Sequence, residues 1–385
     1  MPHDRERFMK KIIQRLTILG IVILAGCSSQ STQFPEPKSM KPMVSFWERV
    51  YSEWDENQAV YHDNRYLDVI YEVVDVSNFN RRSVLRSHED VLRERLTDMV
   101  DSYTTKRALT SEQKKWIAML KKAGGEKAIY EAPDRLRYQT GLKNRFRRGL
   151  EISGYYMPEF KKIMKRNNVP VEIAYLPHVE SSFQQTAYSS VGASGMWQFM
   201  PSTARSYLPM KRNIIDGRLD PFMAAEGAAN YLREAHDRVQ EWPLALTGYN
   251  HGVGGMMRAK NEIGSDIGRI VWEYDGPRFG FASRNFYAEF LAAKHVAENG
   301  SSYFPGLVHK APRKVDGITL AKPMKVRDLA NILMVSEMTL IELNPAWLQS
   351  VRINKVAIPV EIPVWLPKGS AKKLPSDIGR RIDKR

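Results

Sequence analysis

The stretch Leu176-Pro177-His178-Val179-Glu180-Ser181-Ser182-Phe183 sets one carboxylate between apolar residues and a pair of serines. A helix starting near Pro170 would bury Ile173, Ala174, Leu176 and Val179 on one side, and Pro177 is expected to kink or end it. Glu180 then falls at a helix end among apolar neighbours. Partial desolvation raises the pKa of a carboxyl and keeps it protonated near neutral pH. That is the form a general acid needs to protonate a glycosidic oxygen. Taken alone, a Glu at a helix end is structural more often than catalytic.

Two later stretches could serve such an acid. Gly192-Ala193-Ser194-Gly195-Met196-Trp197-Gln198-Phe199-Met200-Pro201 is a glycine-punctuated loop ending in amide and aromatic groups. Glycines let backbone approach a ligand, Gln both donates and accepts, and an aromatic face can stack on a sugar. Thr247-Gly248-Tyr249-Asn250-His251-Gly252 reads as a second polar-aromatic turn, and Gly252-Val253-Gly254-Gly255 as a turn without the βαβ context of a nucleotide loop. Each loop by itself is weak, since aromatics at such spacing are usually core. Their order behind Glu180 is what counts.

Other chemistries find no support. His178-Val179-Glu180 matches the His-x-Glu of zinc deaminases, which also need a downstream Cys-x-x-Cys. The chain has one cysteine, Cys27, and His178 is expected at a helix-end surface or in a hydrogen bond. With no His-Glu-x-x-His and no Walker loop, neither a metal nor another cofactor is expected. An ordinary glycosidase uses two carboxylates, yet no Asp or Glu lies between Ser181 and Ile215. Asp216 and Asp220 come next, and Asp220 before Pro221 is better explained as a helix cap.

The ordered set Glu180-Ser181, Gly195-Met196-Trp197-Gln198 and Gly248-Tyr249-Asn250 resembles the catalytic domain of the soluble-type lytic transglycosylases (SLT, glycoside hydrolase family 23) of the lysozyme-like superfamily. With the preceding helices, the membrane-bound lytic transglycosylase D type is the nearest resemblance. It implies cleavage of the MurNAc-GlcNAc β-1,4 bond of peptidoglycan without water, leaving 1,6-anhydro ends. Glu180 would act as acid and then base, and Ser181, Met196, Gln198, Tyr249, Asn250 and Tyr287 would bind or orient the sugar. Trp197 stands where the family has Met, and Gly248 where it has Ala. The late-helix family tyrosine aligns with Phe286, and Tyr287 is one place over. A hydrolytic muramidase on the same fold, marked by a second carboxylate across the cleft, is the alternative. So is a lipoprotein that tethers wall to membrane without cutting.

The elements that must carry this site belong to a chain of 385 residues with a formal charge of +15, 43% hydrophobic and 26% charged. That composition is of a folded protein of more than one domain. The basic balance favours an anionic partner such as the cell wall, and no nucleic-acid signature accompanies it. Residues 1–26 read as a lipoprotein signal peptide. A basic stretch precedes an apolar run, Leu16 to Ala25, too short to span a bilayer. Leu24-Ala25-Gly26-Cys27 resembles a lipobox, which implies lipidation of Cys27. With Ser28 next, the expectation is an outer-membrane lipoprotein facing the periplasm.

Residues 27–44 read as a flexible tether and 45–167 as a helical region. Helical spacing there links Val91, Leu92, Leu96 and Met99, and Arg145–Arg166 reads as two helices parted near Gly154 and Pro158. Residues 168–300 are the catalytic domain expected from the resemblance, 313–370 resemble a degenerate LysM glycan-binding module, and 371–385 form a basic tail. The fold expected is mainly α, with a small α/β module at the end. The partners implied are glycan strands, the membrane, and cell-wall synthesis or division proteins.

Overall fold

The structure, a computed structural model, describes residues 33–77 and 81–382. The expected signal peptide and Cys27 lie outside the described residues. The chain divides into two compact units at Pro35, and the described helices and strands belong to the larger, Glu36–Arg385.

The later part of the expected tether is helical. A 3-10 turn at Lys38–Met40 leads into helix α1 (Lys41–Ser52), which buries Met43, Val44, Phe46, Trp47, Val50 and Tyr51. Half its residues are therefore core, and such a segment cannot remain a free linker. The next region departs from the helical expectation. Strands β1 (Gln58–Asp63) and β2 (Ile70–Asp75) pair antiparallel, and β3 (Leu136–Thr140) pairs on the other edge of β1. β1 is buried almost throughout, so it lacks the two-residue alternation that would have marked it in the sequence. At its end the buried Asp63 carboxylate accepts Arg135 Nε at 2.9 Å.

Helices α2 (Arg81–Thr104) and α3 (Ser111–Tyr130) cover this sheet. Leu92, Leu96 and Met99 join Trp116, Ile117 and Leu120 in its core, while Val91 is exposed. Thr110 and Gln113 form a reciprocal capping box that starts α3. The expected break near Gly154 and Pro158 separates α4 (Lys143–Ser153) from α5 (Met157–Arg166).

Next come a 3-10 turn, Val171–Tyr175, and the short helix α6 (Leu176–Glu180). Pro177 opens α6 rather than kinking or ending a longer helix. A proline in the first turn removes an N–H that has no intrahelical acceptor there. After α7 (Pro201–Tyr207) and the small hairpin β4 (Met210–Lys211) with β5 (Ile215–Asp216), Asp220 caps α8 (Pro221–Val239) as expected. Its Oδ1 accepts the Phe222 and Met223 N–H groups, each at 2.9 Å. Ala224, Ala225, Ala228 and Ala229 are fully buried along α8.

The polar-aromatic stretch around Tyr249 is helical, not a turn. It ends α9 (Trp242–His251), and Gly252, at φ 89°, both stops α9 and starts α10 (Val253–Ile263). The expected Gly252–Gly255 turn is thus one glycine between two helices. Helices α11 (Ile267–Glu273), α12 (Phe281–Glu298) and α13 (Gly300–Tyr303) follow. α1 lies along α12, with Trp47 Nε1 donating to Asn285 Oδ1 at 3.0 Å.

The C-terminal part runs β6 (Val315–Leu320), α14 (Val326–Leu333), α15 (Glu337–Leu343), α16 (Gln349–Arg352), β7 (Val364–Pro367) and β8 (Gly379–Arg381). β6 is the central strand of an antiparallel β7-β6-β8 sheet. The expected basic tail therefore contains an edge strand, with Ile318, Thr319 and Leu320 opposite Arg381, Arg380 and Gly379. This part is not free of the helices before it. Ile215 and Met223 belong to its core, Phe222 meets Trp365 edge-on, and Trp365 Nε1 donates to the buried Asp220 Oδ2 at 2.6 Å. A Trp365→Phe change keeps the ring but strands a buried acceptor. It should cost about 1–3 kcal/mol in urea denaturation; an unmoved midpoint would show that this bond contributes nothing.

Candidate active site

Glu180 is the last residue of α6, and the chain turns sharply behind it. Ser181 and Phe183 both donate their N–H to the Pro177 carbonyl at 3.1 Å. To do so, Ser182 and Phe183 adopt φ of 52° and 58°, a left-handed pair of non-glycine residues. Such backbone is costly, especially for a bulky side chain, and persists only where its surroundings enforce it. Phe183 is held in the core against Phe160 and His178, with ring centroids 6.1 and 4.4 Å away. On the other side α4 comes close, because a Cβ at Gly149 would stand 2.8 Å from the Ser182 carbonyl oxygen.

His178 is neither at the surface nor in a hydrogen bond. It is 1% exposed, its ring stacks on Phe146 at 5.1 Å, and neither ring nitrogen has a partner among the described residues. Burial pushes its pKa down to about 3, so it packs as a neutral aromatic.

The glycine-punctuated loop is tied to α6 through its carbonyls. Ser181 Oγ donates to the Met196 carbonyl at 2.8 Å, and Tyr249 Oη donates to the Trp197 carbonyl at 2.8 Å. Gln198 Nε2 donates to the Gly195 carbonyl at 2.8 Å, and Arg218 Nη1 to that of Gly192 at 2.9 Å. Gly195 has φ 80°, and any Cβ there would collide with the Arg218 carbonyl. Glycine is therefore required at that point twice over.

Of the residues expected at the site, Glu180, Gln198 and Tyr249 are partly exposed and Asn250 is exposed. Asn250 Oδ1 accepts Ser283 Oγ from α12 at 3.0 Å. Ser181 and Met196 are each 1% exposed and hold the loop in place. Trp197 is fully buried against Phe160, at 5.2 Å, and offers no face to a sugar; the exposed aromatic of this segment is Tyr188. Tyr287 is also fully buried, and the charge its hydroxyl feels is that of Glu36, not Glu180.

Three further groups lie about the Glu180-Ser181 turn that the sequence did not single out. Tyr51 of α1 is buried, and the charges of Glu289 and Glu180 both disfavour its ionisation. Arg145 of α4 donates through Nη2 to the Ser181 carbonyl at 3.3 Å. Glu289 of α12 is a second carboxyl, close enough that its charge is felt at Glu180. No pattern in the chain joins positions 51, 145, 180 and 289; only packing does. Asp216 pairs with Arg218 Nη2 at 2.7 Å and Asp220 is the cap, so neither faces Glu180 as a second acid.

Burial, and then Glu289, pushes the Glu180 carboxyl up to about 8. Among the described residues, no hydrogen bond stabilises its anion. At neutral pH it is therefore mainly protonated, the state of a general acid. The same shift ties stability to pH. A carboxyl whose folded pKa exceeds its unfolded value, here 4.5, favours folding below that value. The contribution is lost as pH rises through the folded value near 8. The melting temperature of the protein should consequently fall more steeply than that of a Glu180→Gln variant between about pH 5 and pH 9. Parallel curves in differential scanning fluorimetry would contradict this account.

Comparison with known proteins agrees with the geometry. Residues 157–269 match the family described as the transglycosylase SLT domain. Membrane-bound lytic murein transglycosylase D of Escherichia coli (strain K12) is 30% identical over 176 residues, covering 44% of this chain and 38% of its own. A putative tributyltin chloride resistance protein of Alteromonas sp. (strain M-1) is 31% identical over 111 residues, 29% of this chain and 54% of its own. The chain thus spans well under two thirds of the length of these relatives. Among solved structures, the 70 kDa soluble lytic transglycosylase of Escherichia coli aligns over 58% of this chain and 45% of its own, at 13% identity and a TM-score of 0.34. Residues 157–269, the stretch that matches the transglycosylase SLT domain, hold Glu180, Ser181, Met196, Gln198, Tyr249 and Asn250.

Proposed function

We propose that the protein is a peptidoglycan lytic transglycosylase, a lyase, and that Glu180 performs both proton transfers. The observation that carries this reading is the placement of Glu180 at the end of α6, beside the loop that Ser181 and Tyr249 hold through the Met196 and Trp197 carbonyls, inside the segment that matches the SLT domain. In the first step Glu180 gives its proton to the oxygen leaving C1 of N-acetylmuramic acid. The C1–O bond breaks, and the substrate's own acetamido oxygen stabilises the cationic carbon. The Glu180 carboxylate then takes the proton of the 6-hydroxyl, whose oxygen closes on C1 to give the 1,6-anhydro ring. Water is not consumed, and Glu180 ends as it began. Ser181 and Met196 set the loop, Tyr249 fixes it through the Trp197 carbonyl, and Gln198 and Asn250 are the polar groups left to meet the sugar. The buried Tyr287 supports α12 from within.

The same reading extends to the ends of the chain. Lipidation of Cys27 would place the enzyme on the outer membrane, facing the periplasmic wall, where wall-synthesis or division proteins are its natural neighbours. No described helix is long and apolar enough to cross a membrane. The order β6, α14, α15, the four-residue α16 and β7, with β6 and β7 paired, supports reading this part as a LysM-like βααβ unit with one extra helical turn. A pocket lined by Lys322, Lys325, Arg327, Asp328, Ile353 and Asn354 lies on it and suits a polar, anionic strand. Because Ile215 and Met223 complete its core, the unit is better tested in the full chain than as residues 313–370 alone. A double Lys325→Glu, Arg327→Glu variant should sediment with purified sacculi several-fold less well, and unchanged sedimentation would remove the glycan-binding role.

One observation favours a second reading: Glu289 is a second carboxyl near Glu180, which a hydrolytic muramidase would need. Product chemistry separates the two. Digestion of sacculi, read by mass spectrometry, should yield anhydro-muropeptides one water lighter than hydrolysis products. Glu180→Gln should lower the rate at least about 100-fold. Reducing-end products would establish the muramidase instead. A folded protein that releases nothing would leave a wall-tethering lipoprotein.

A further inference from the structure

The stretch between α13 and β6 is strapped to the junction of α4 and α5. Lys310 N–H donates to the Glu151 carbonyl at 2.9 Å and Arg313 N–H to that of Tyr155 at 3.0 Å. His309 Nδ1 donates to the Leu150 carbonyl at 2.8 Å. A Cβ at Gly154 would stand 2.2 Å from the Lys310 carbonyl oxygen, so the two segments touch. This strap, the helix junction, the end of α12 and α6 together line a cavity of about 480 Å³, the size of a small-ligand site. None of Glu180, Gln198, Tyr249 and Asn250 lines it.

His178 of α6 does line it, and the side chain is 1% exposed. Phe146 and Tyr175 stack on its ring, with centroids 5.1 and 6.3 Å away, yet neither ring nitrogen has a partner among the described residues. A neutral imidazole offers one donor and one acceptor, and buried groups of this kind are nearly always hydrogen-bonded. Burial keeps His178 uncharged, which suits an amide better than an ion. Leu150, Met157 and Pro312 give the cavity apolar walls. Its charges are unequally engaged. Glu298 already pairs with Lys294 Nζ at 3.0 Å. Lys310 pairs with no carboxylate among the described residues, and its ammonium lies 5.2 Å from the centre of the Tyr155 ring.

We propose that this cavity is a second murein site, separate from the cleft, which takes the carboxyl end of a stem peptide. A peptide amide bonds the His178 imidazole, the terminal carboxylate meets the Lys310 ammonium, and a small apolar side chain packs against Leu150, Met157 and Pro312. The stem peptides of peptidoglycan end in alanine, which joins those three groups in one small unit. Only the source of the peptide rests on the wall-cutting role proposed above; the ligand chemistry follows from the cavity itself.

The test uses the full chain labelled with 15N at histidine, titrated with N-acetyl-D-alanyl-D-alanine and with its carboxamide. The His178 ring signals are assigned by their loss in His178→Phe, which keeps a ring against Phe146. The acid should shift those signals saturably, and the carboxamide should bind several-fold more weakly. In calorimetry His178→Phe should weaken binding of the acid about five- to tenfold, and Lys310→Gln should bring it to the level of the carboxamide. His178 nitrogens unmoved at millimolar acid overturn the proposal, and so does an equal response to the carboxamide. Tighter binding of N-acetyl-L-alanyl-L-alanine overturns murein as the source. If His178→Phe does not fold, an unchanged affinity in Lys310→Gln is decisive against the site. Probe binding by a protein that fails to digest sacculi would overturn the catalytic reading and leave the cavity's role intact.

Discussion

The carbonyl groups of residues 192–197 have to be satisfied, and the way they are satisfied organises the site. A buried backbone acceptor without a partner is costly. This loop lacks a strand or helix ladder for most of its length, so side chains from several elements supply the donors. Ser181 comes from the end of α6, Tyr249 from the end of α9, Arg218 from the turn before α8, and Gln198 from the loop itself. Each bond therefore also fixes the element that donates it. The result is that the helix end bearing Glu180 and the helix end bearing Asn250 are held against one loop.

Within that frame two unfavourable features meet at Glu180. One is the left-handed pair Ser182-Phe183, and the other is a desolvated carboxyl with no hydrogen-bond partner among the described residues. Buried charge is disfavoured strongly enough that the group keeps its proton instead. The aromatic packing of Phe183, His178, Phe146 and Phe160 opposes relaxation of the backbone. Such concentration of strain and perturbed ionisation in one place is what a proton-transfer site requires.

The parts outside the SLT segment are packed into the same body. α1 lies on α12 through the Trp47–Asn285 bond, and it brings Tyr51 toward Glu180. The C-terminal sheet shares Ile215 and Met223 with the helical region, and the cap of α8 is completed by Trp365. Asp220 thus serves three bonds at once, two local and one across 145 residues of chain. Loss of either end should be felt at the helices that frame the cleft.

Local rules determined a good deal by themselves. The Asp220-Pro221 start of α8, the break between α4 and α5, and a carboxyl at a helix end are matters of capping and proline geometry, written in neighbouring residues. So was the set Glu180-Ser181, Gly195–Gln198 and Tyr249-Asn250, because each piece is contiguous. Where the same rules failed, burial was the reason. Strand β1 is covered on both faces and shows no alternation, and β8 is a three-residue edge strand defined only by its partner β6. Met196 and Tyr287 were expected at the site from the resemblance, and Trp197 as an aromatic face in the loop, yet packing puts all three side chains in the core. Conversely, Tyr51, Arg145 and Glu289 are ordinary by sequence and become important only where α1, α4 and α12 converge on Glu180. A charge acts over the distance between groups in space, and that distance exists only once the chain is folded.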